Sequence, residues 1–193
     1  RITDIEGHPT NNKILFAGAA GGGVWKTGDG GVTFNPIFEK HNQSIGAITV
    51  DPKNPDQVIW VGTGEIWTRN SVTIGDGIYK TTDGGQNWTN MGLAKSERIS
   101  SIKVIPNNTN EVFVGVLGAL WSDSEDRGVY KTTDGGKTWN KIHNGFPAGK
   151  LGRIAIAAAP SNSNILYAVI ESEKDKEVEG LINGLEIYKF KNI

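Results

Sequence analysis

The sequence has no cysteine and a single methionine. It therefore has no disulfide framework, no thiol nucleophile and no cysteine-ligated zinc or iron–sulfur centre. Histidine is scarce as well. His8, His41 and His143 lie far apart in sequence, which argues against a histidine metal site. No charge of one sign dominates, since 20 Lys and Arg face 21 Asp and Glu for a net charge of -1. Without a basic cluster the chain lacks the electrostatic footprint of a nucleic-acid binder. No apolar run approaches the roughly 20 residues that span a bilayer. No cofactor is expected.

What the sequence does hold is glycine, 26 in 193 residues, about twice the usual ~7%. These glycines have no three-residue period, which excludes collagen. They punctuate segments rich in Val, Ile, Thr, Trp and Tyr, as expected for tight turns between short strands. The length suits one ordinary domain or part of a larger one.

The chain repeats itself. Val24–Phe34, Ile78–Trp88 and Val129–Trp139 align without gaps on an aspartate–glycine–glycine core, at Asp29, Asp83 and Asp134, 54 and 51 residues apart. A second marker, a proline followed by Asn or Asp, recurs at Pro9, Pro52, Pro106 and Pro160, spaced by 43, 54 and 54 residues. Each repeat divides into four strands, A to D. Strand A precedes the proline and strand B follows it; strand C runs into the Asp-Gly-Gly turn, and strand D starts at the aromatic beyond. Proline sets φ and Asn or Asp tolerates left-handed backbone, which suits the A–B hairpin. Four short strands repeated every ~50 residues predict an all-β protein built as a β-propeller. No stretch shows the sustained 3.6-residue apolar period of a helical solenoid.

The aspartates have a mechanical role in this reading. A carboxylate at a turn accepts hydrogen bonds from N–H groups just ahead of it, and the glycines supply positive φ. The Thr before each Asp and the aromatic after it are expected to pack the hairpin onto its own sheet. A catalytic group has no reason to recur in every repeat, so Asp29, Asp83 and Asp134 read as structural.

The pattern Thr-x-Asp-x-Gly-x-Thr/Asn-aromatic is similar to the Asp-box of bacterial sialidase-type (BNR) repeats. It is carried at Thr27, Asp29, Gly31, Thr33 and Phe34, at Thr81, Asp83, Gly85, Asn87 and Trp88, and at Thr132, Asp134, Gly136, Thr138 and Trp139. Phe34 and Asn87 depart mildly from it. The stretches Val61–Lys80 and Leu117–Lys131 resemble large secreted bacterial proteins with sortilin-like propellers, often grouped with glycosyl hydrolases. The resemblance implies a propeller, a secreted or periplasmic location, and binding of protein or carbohydrate. It implies no particular reaction, because such boxes occur in enzymes and non-enzymes alike.

The fourth repeat has a strand C, Leu185–Phe190, but no Asp-Gly-Gly turn and no strand D. The expected division is a partial β-propeller over 1–193, with blade 1 about 1–38, blade 2 about 44–92, blade 3 about 97–143 and an incomplete blade 4 about 150–193. About three and three-quarter blades read as an arc of a larger propeller. The partners that complete it are the remaining blades of a longer chain or, as the lesser alternative, a second copy.

Up-and-down topology places turns A–B and C–D on one face and loops B–C and D–A on the other. The B–C loops span Gly18–Gly23, Gly62–Gly77, Leu117–Gly128 and Glu171–Gly184, and three of them are long. Long loops on a rigid scaffold are where binding concentrates. Loop Gly62–Gly77 carries Glu65, Trp67, Arg69, Asn70 and Asp76. Glu65 and Asp76 are candidates for a glycosidase acid/base pair, which needs carboxyls about 5–9.5 Å apart, and Trp67 for stacking on a sugar ring. The plainer reading pairs Glu65 with Arg69 to pin the loop. Trp121 and the acids Asp123, Glu125 and Asp126 lie in the next loop. They lack the Gly and terminal Glu of an EF-hand, so no metal is expected there, and Arg127 reads as an anchor for the loop end.

Arg1, Arg98 and Arg153 each begin a strand A, with Ser44 at the fourth such position. Three guanidiniums at a channel mouth suit a carboxylate or phosphate; inter-blade ion pairs are the plainer reading. The resemblance to sialidases implies an arginine triad, but it also implies a loop Tyr nucleophile. Tyr79, Tyr130, Tyr167 and Tyr188 all fall in strands. Two functions therefore stand. One is an extracytoplasmic propeller module binding protein or glycan through its B–C/D–A loop face. The other is a glycoside hydrolase with Glu65 and Asp76 as acid and base.

Overall fold

A computed structural model describes residues 1–146, 149–159, 161–173 and, as backbone, 185–191. Pro160 and most of the loop expected over Glu171–Gly184 lie outside the described residues. The strands are β1 (Ile2–Gly7), β2 (Leu15–Ala19), β3 (Gly23–Thr27), β4 (Asn35–Pro36), β5 (Ile45–Val50), β6 (Ile59–Thr63), β7 (Ile78–Thr81), β8 (Thr89–Asn90), β9 (Ile99–Ile105), β10 (Asn108–Val116), β11 (Gly128–Thr132), β12 (Asn140–Ile142), β13 (Leu151–Ala159), β14 (Asn162–Ser172) and β15 (Leu185–Lys191). They form four antiparallel sheets in strict sequence order, β1-β2-β3-β4, β5-β6-β7-β8, β9-β10-β11-β12 and β13-β14-β15. The single helical element among the described residues is a 3-10 turn, Ala94–Ser96. This is the all-β arc of a propeller that the repeat predicts. Trp25, Tyr79 and Tyr130 occupy one equivalent place, each the strand-C partner of a strand-D residue: Pro36, Asn90 and Lys141.

The core lies between sheets. Phe16, Val24 and Phe38 of the first sheet meet Ile45, Ile48, Val50, Ile59 and Val61 of the second. Trp60 and Ile78 meet Ile99, Ile102, Val112 and Val114. Phe113 and Val129 meet Ile154, Ile156, Leu166 and Ile170. Strand alternation explains why β6 is buried throughout: Ile59 and Val61 face one neighbour and Trp60 the other. Each such side chain contributes about 1.5–3 kcal/mol by leaving water. Close approach needs small residues at one recurring place. A Cβ on Gly62 would lie 2.4 Å from Ile99 Cγ2, and one on Gly18 2.7 Å from Ile45 Cγ2. Innermost strands are also tied by side chains. Thr3 donates to Ile45 O at 2.8 Å, Asp4 accepts from Ile48 N at 2.8 Å, and Ser100 donates to Ile154 O at 2.6 Å.

The three Asp-Gly-Gly turns are near copies. Asp29, Asp83 and Asp134 each accept from the preceding Thr hydroxyl at 2.7 Å. Each also accepts from the backbone N–H four residues on, at 3.0, 2.9 and 3.0 Å. The side chains of Thr33, Asn87 and Thr138 close the turn on the other carboxylate oxygen. The aromatic corrects one expectation. Trp88 donates its indole N–H to Ile37 O at 2.7 Å and Trp139 to Met91 O at 2.8 Å, each acceptor directly following the last strand of the preceding sheet. The aromatic thus ties its turn to the neighbour, and Trp88 also donates to Gly85 O of its own turn at 3.2 Å.

The two faces sort as the topology requires. Gly30, Gly84 and Gly135 donate to Lys13, Gln57 and Asn110 at 2.9 Å, joining the Asp-Gly-Gly turns to the A–B turn in the first two sheets and to the start of β10 in the third. On the opposite face Gly64 donates to Ser44 O at 2.7 Å and Leu117 to Arg98 O at 2.9 Å, joining B–C loops to D–A loops.

Candidate functional site

Among the described residues, the loop between β6 and β7 is the most elaborate on that second face. Its base is closed by backbone. Glu65 N–H donates to Thr73 O at 3.0 Å, and Ser44 Oγ donates to the same carbonyl at 3.1 Å. The Asn42 amide donates to Ile74 O at 3.1 Å. Glu65 turns inward, 2% exposed, and its carboxylate pairs with Arg69 Nε at 3.2 Å and with Arg1. Asp76 closes the far end, accepting from Thr63 Oγ1 at 3.2 Å and from the Tyr79 hydroxyl at 2.8 Å. Both carboxylates are thereby engaged by the protein.

Pinned at both ends, the loop projects Trp67, which is 50% exposed. Thr68 accepts a hydrogen bond from Arg153 of β13 at 3.3 Å, so the tip reaches across the third sheet to the fourth. A cleft of about 220 Å³ lies below it, lined by Ile66, Trp67, Ser100, Leu117, Arg153, Ile154, Ala155 and Val169. An apolar floor, an exposed indole and a guanidinium on the wall suit a ligand with ring faces and hydroxyl edges. Sequence reasoning found Trp67 and Arg153 but not Ile66, Ser100 or Ala155, which read there as ordinary core or strand residues. The one local signal was the apolar pair Ile66-Trp67 inside a polar loop.

The other candidates are placed apart from this cleft. Arg98 is 3% exposed and donates to Glu97 Oε2 at 2.7 Å and to Gly118 O at 3.2 Å. Its guanidinium is buried, bonded through one terminal nitrogen and with Nε unpartnered among the described residues, whereas Arg1 and Arg153 meet the base and tip of the 64–77 loop. A convergent ring of three arginines is therefore not what these contacts build. Asn70 is exposed at the tip, and Trp121 is 73% exposed on the next loop. Arg127 donates to Leu117 O at 2.5 Å and also to the carbonyls of Ala119 and Leu151, anchoring the end of that loop. Asp123 pairs with Lys150 at 3.0 Å across an exposed surface. Among the described residues no three acidic or histidine side chains are placed to hold a metal ion. None of the described helices is long and apolar enough to cross a membrane.

No protein-family model matches the chain. Over 154 residues it is 26% identical to a xyloglucanase of Hypocrea jecorina, covering 70% of this chain and 17% of that protein. Among solved structures it is similar to an ancestral GH74 enzyme, at 24% identity and a TM-score of 0.66, covering 90% of this chain and 22% of that one. It is also similar to the GH74 enzyme of Niastella koreensis, at 23% identity and a TM-score of 0.67, covering 98% and 28%. The chain thus spans less than a third of the length of each of these proteins. The structural likenesses establish a β-propeller architecture, and the sequence likeness is to xyloglucanases.

Proposed function

We propose that this chain is an arc of a glycoside-hydrolase-type propeller that holds a glucan chain of the xyloglucan kind across its long-loop face. The observation that carries the reading is the apolar cleft under the exposed indole of Trp67, with Arg153 on its wall. Sugar rings stack their C–H faces on indole, and their hydroxyls take guanidinium N–H donors. Sequence likeness to a xyloglucanase supports the same ligand class. Trp121 supplies a second platform on that face. Arg1 and Arg69, through Glu65, position the Trp67 loop, and Arg98 holds the neighbouring connection.

In this reading the Asp-Gly-Gly turns are Asp-boxes of the BNR and sortilin-like type, and the blades divide at about 1–38, 44–92, 97–143 and 150–193. Further blades, or a second copy, complete the ring. A polysaccharide does not cross a membrane, so the protein meets it in an extracytoplasmic compartment.

Glu65 and Asp76 are given loop-holding roles here, because each carboxylate already has partners within the protein. Calorimetric titration with xyloglucan oligosaccharides tests the proposal. Trp67→Ala is expected to weaken binding about ten-fold or more, as for truncation of an aromatic anchor that costs at least about 1.4 kcal/mol. Unchanged affinity in Trp67→Ala, or no binding by the protein, overturns it. Asp76→Asn that kept binding but lost all hydrolysis would instead restore Glu65 and Asp76 as acid and base.

A further inference from the structure

The junctions between successive sheets are built on one pair of residues. The first strand of every sheet sets an isoleucine opposite the end of its second strand: Ile2 pairs with Ala19, Ile45 with Thr63, Ile99 with Val116 and Ile154 with Ile170. Ile45, Ile99 and Ile154 are buried. Each presses on the preceding sheet where a glycine leaves room for it. A Cβ on Gly18 would lie 2.7 Å from Ile45 Cγ2, one on Gly62 2.4 Å from Ile99 Cγ2, and one on Gly115 3.2 Å from Ile154 Cγ2. The junction is thus a knob and a seat. Isoleucine is stiff at χ1, so the knob does not fold away from a side chain placed in its seat. In two junctions the residue after the preceding sheet's own isoleucine adds a strap. Thr3 donates to Ile45 O at 2.8 Å, and Ser100 to Ile154 O at 2.6 Å.

The two ends of the arc depart from this rule in opposite ways. Ile2 is a knob without a seat, 51% exposed. Ile5, which pairs with Ala17 as Ile48 pairs with Val61, is also exposed. At the other end, Val169 stands where the other sheets have glycine: it pairs with Ala155 as Gly115 pairs with Ser101 and Gly62 with Ala47. Leu166, Ala168 and Ile170 are buried in the core shared with the third sheet. Alternation along β14 therefore turns Val169 to the opposite, outer face, where it lines the Trp67 cleft with Ala155. Its branched side chain occupies the space that an incoming isoleucine needs. The strap is missing too, because the residue after Ile154 is Ala155, which has no hydroxyl.

We propose that the outer face of the first sheet is a docking surface for a preceding blade of the same repeat, one that carries glycine at the place of Gly18, Gly62 and Gly115. The fourth sheet of a second copy is not that blade, because Val169 fills the seat that Ile2 requires. The inference rests on the arc reading above and adds which kind of sheet closes against the first. Val169 acts by rejection. Two copies of the arc do not join head to tail, and the outer face of the fourth sheet stays free to wall the Trp67 cleft.

Fluorescence-detected sedimentation of labelled chains titrated with unlabelled ones tests it. Every labelled chain carries Ile2→Ser, so that its fourth sheet is the end on offer; the unlabelled chain offers Ile2. Adding Val169→Gly to the labelled chain should tighten binding about ten-fold, and Val169→Ala about three-fold, as the overpacking is relieved. Both gains should vanish when the unlabelled chain carries Ile2→Ser. The alanine variant keeps the strand's side chain and reads the same ranking if the glycine variant fails to fold. Equal affinity with valine, alanine and glycine overturns the glycine requirement and leaves the arc reading intact. A gain that survives Ile2→Ser in the unlabelled chain comes from a loosened β14 and also overturns it. If no pairing associates at all, the first sheet's face needs no cover, and the arc reading fails with the proposal.

Discussion

At Asp83 one carboxylate gathers two backbone N–H groups, a threonine hydroxyl and an asparagine amide. These donors favour the charged form and hold its pKa at about 2, below the ordinary 3.8, with the Asn87 backbone N–H contributing most. Asp29 and Asp134 are lowered in the same way, chiefly by the hydroxyls of Thr33 and Thr138. A lowered carboxyl pKa contributes stability that is fully present above the ordinary value. That stability is lost as pH falls toward the lowered one. The thermal midpoint should therefore drop between about pH 4 and pH 2, and Asp83→Ala should lower the midpoint at neutral pH and flatten that acid slope. An unchanged midpoint in Asp83→Ala would contradict the turn-closing role. Glu6 behaves oppositely. Burial raises its pKa, although Val50 N–H and Thr49 hydroxyl partly offset this. Its contribution is present below the ordinary value and lost as pH rises through the raised one. Glu6→Gln should raise the midpoint at neutral pH and change little near pH 4.

Strands pair within sheets; sheet is joined to sheet by the apolar cores and, around them, by a small set of repeated contacts. The indole of Trp88 reaching Ile37 O is one of them. Trp88→Phe keeps most of the apolar contact and removes the donor. It should cost about 1 kcal/mol, or about 2–4 °C in midpoint. The absence of side chain at Gly62 is another, since Ile99 occupies that space. Gly62→Ala should cost about 1–3 kcal/mol through overpacking, read as a lowered denaturant midpoint with unchanged slope. A neutral result would mean that the second and third sheets slide apart easily. The loop between β6 and β7 belongs to this scale too. It touches the first sheet through Arg1, its own through Tyr79, and the fourth through Arg153. A loop fastened to several blades gives the exposed indole of Trp67 a defined position.

Across the molecule, among the described residues, three inter-sheet cores are filled and apolar residues of the two outermost sheets stand exposed. Ile2 and Ile5 of the first sheet are 51% and 63% exposed, although their register equivalents Ile45 and Ile48 are buried against a neighbour. Tyr167 of the fourth sheet is 38% exposed, whereas its counterpart Phe113 is buried. Uncovered apolar sheet faces attract cover, and the arc reading supplies it as further blades or a second copy. The protein on its own should therefore self-associate in sedimentation, and Ile2→Ser with Ile5→Ser should shift it toward monomer. A stable, monodisperse unsubstituted monomer would overturn the claim that these faces await a partner.

The sequence by itself determined the four-sheet arc, because the spacing of Asp-Gly-Gly and proline turns leaves room for just four short strands per repeat. It determined the turn geometry too, since Thr, Asp and the residue four places on are local in the chain and their bonding needs nothing distant. It also placed Trp67, Glu65 and Asp76 in one long loop. What it left open was which partners those side chains take. Glu65 pairs with Arg1, 64 residues earlier, as well as with Arg69, four residues later. The direction of the indoles, the burial of Arg98, and the cleft beneath Trp67 were decided only by tertiary structure. Each depends on how closely neighbouring sheets approach and twist, a distance set by packing between residues some 50 positions apart and not by any local pattern.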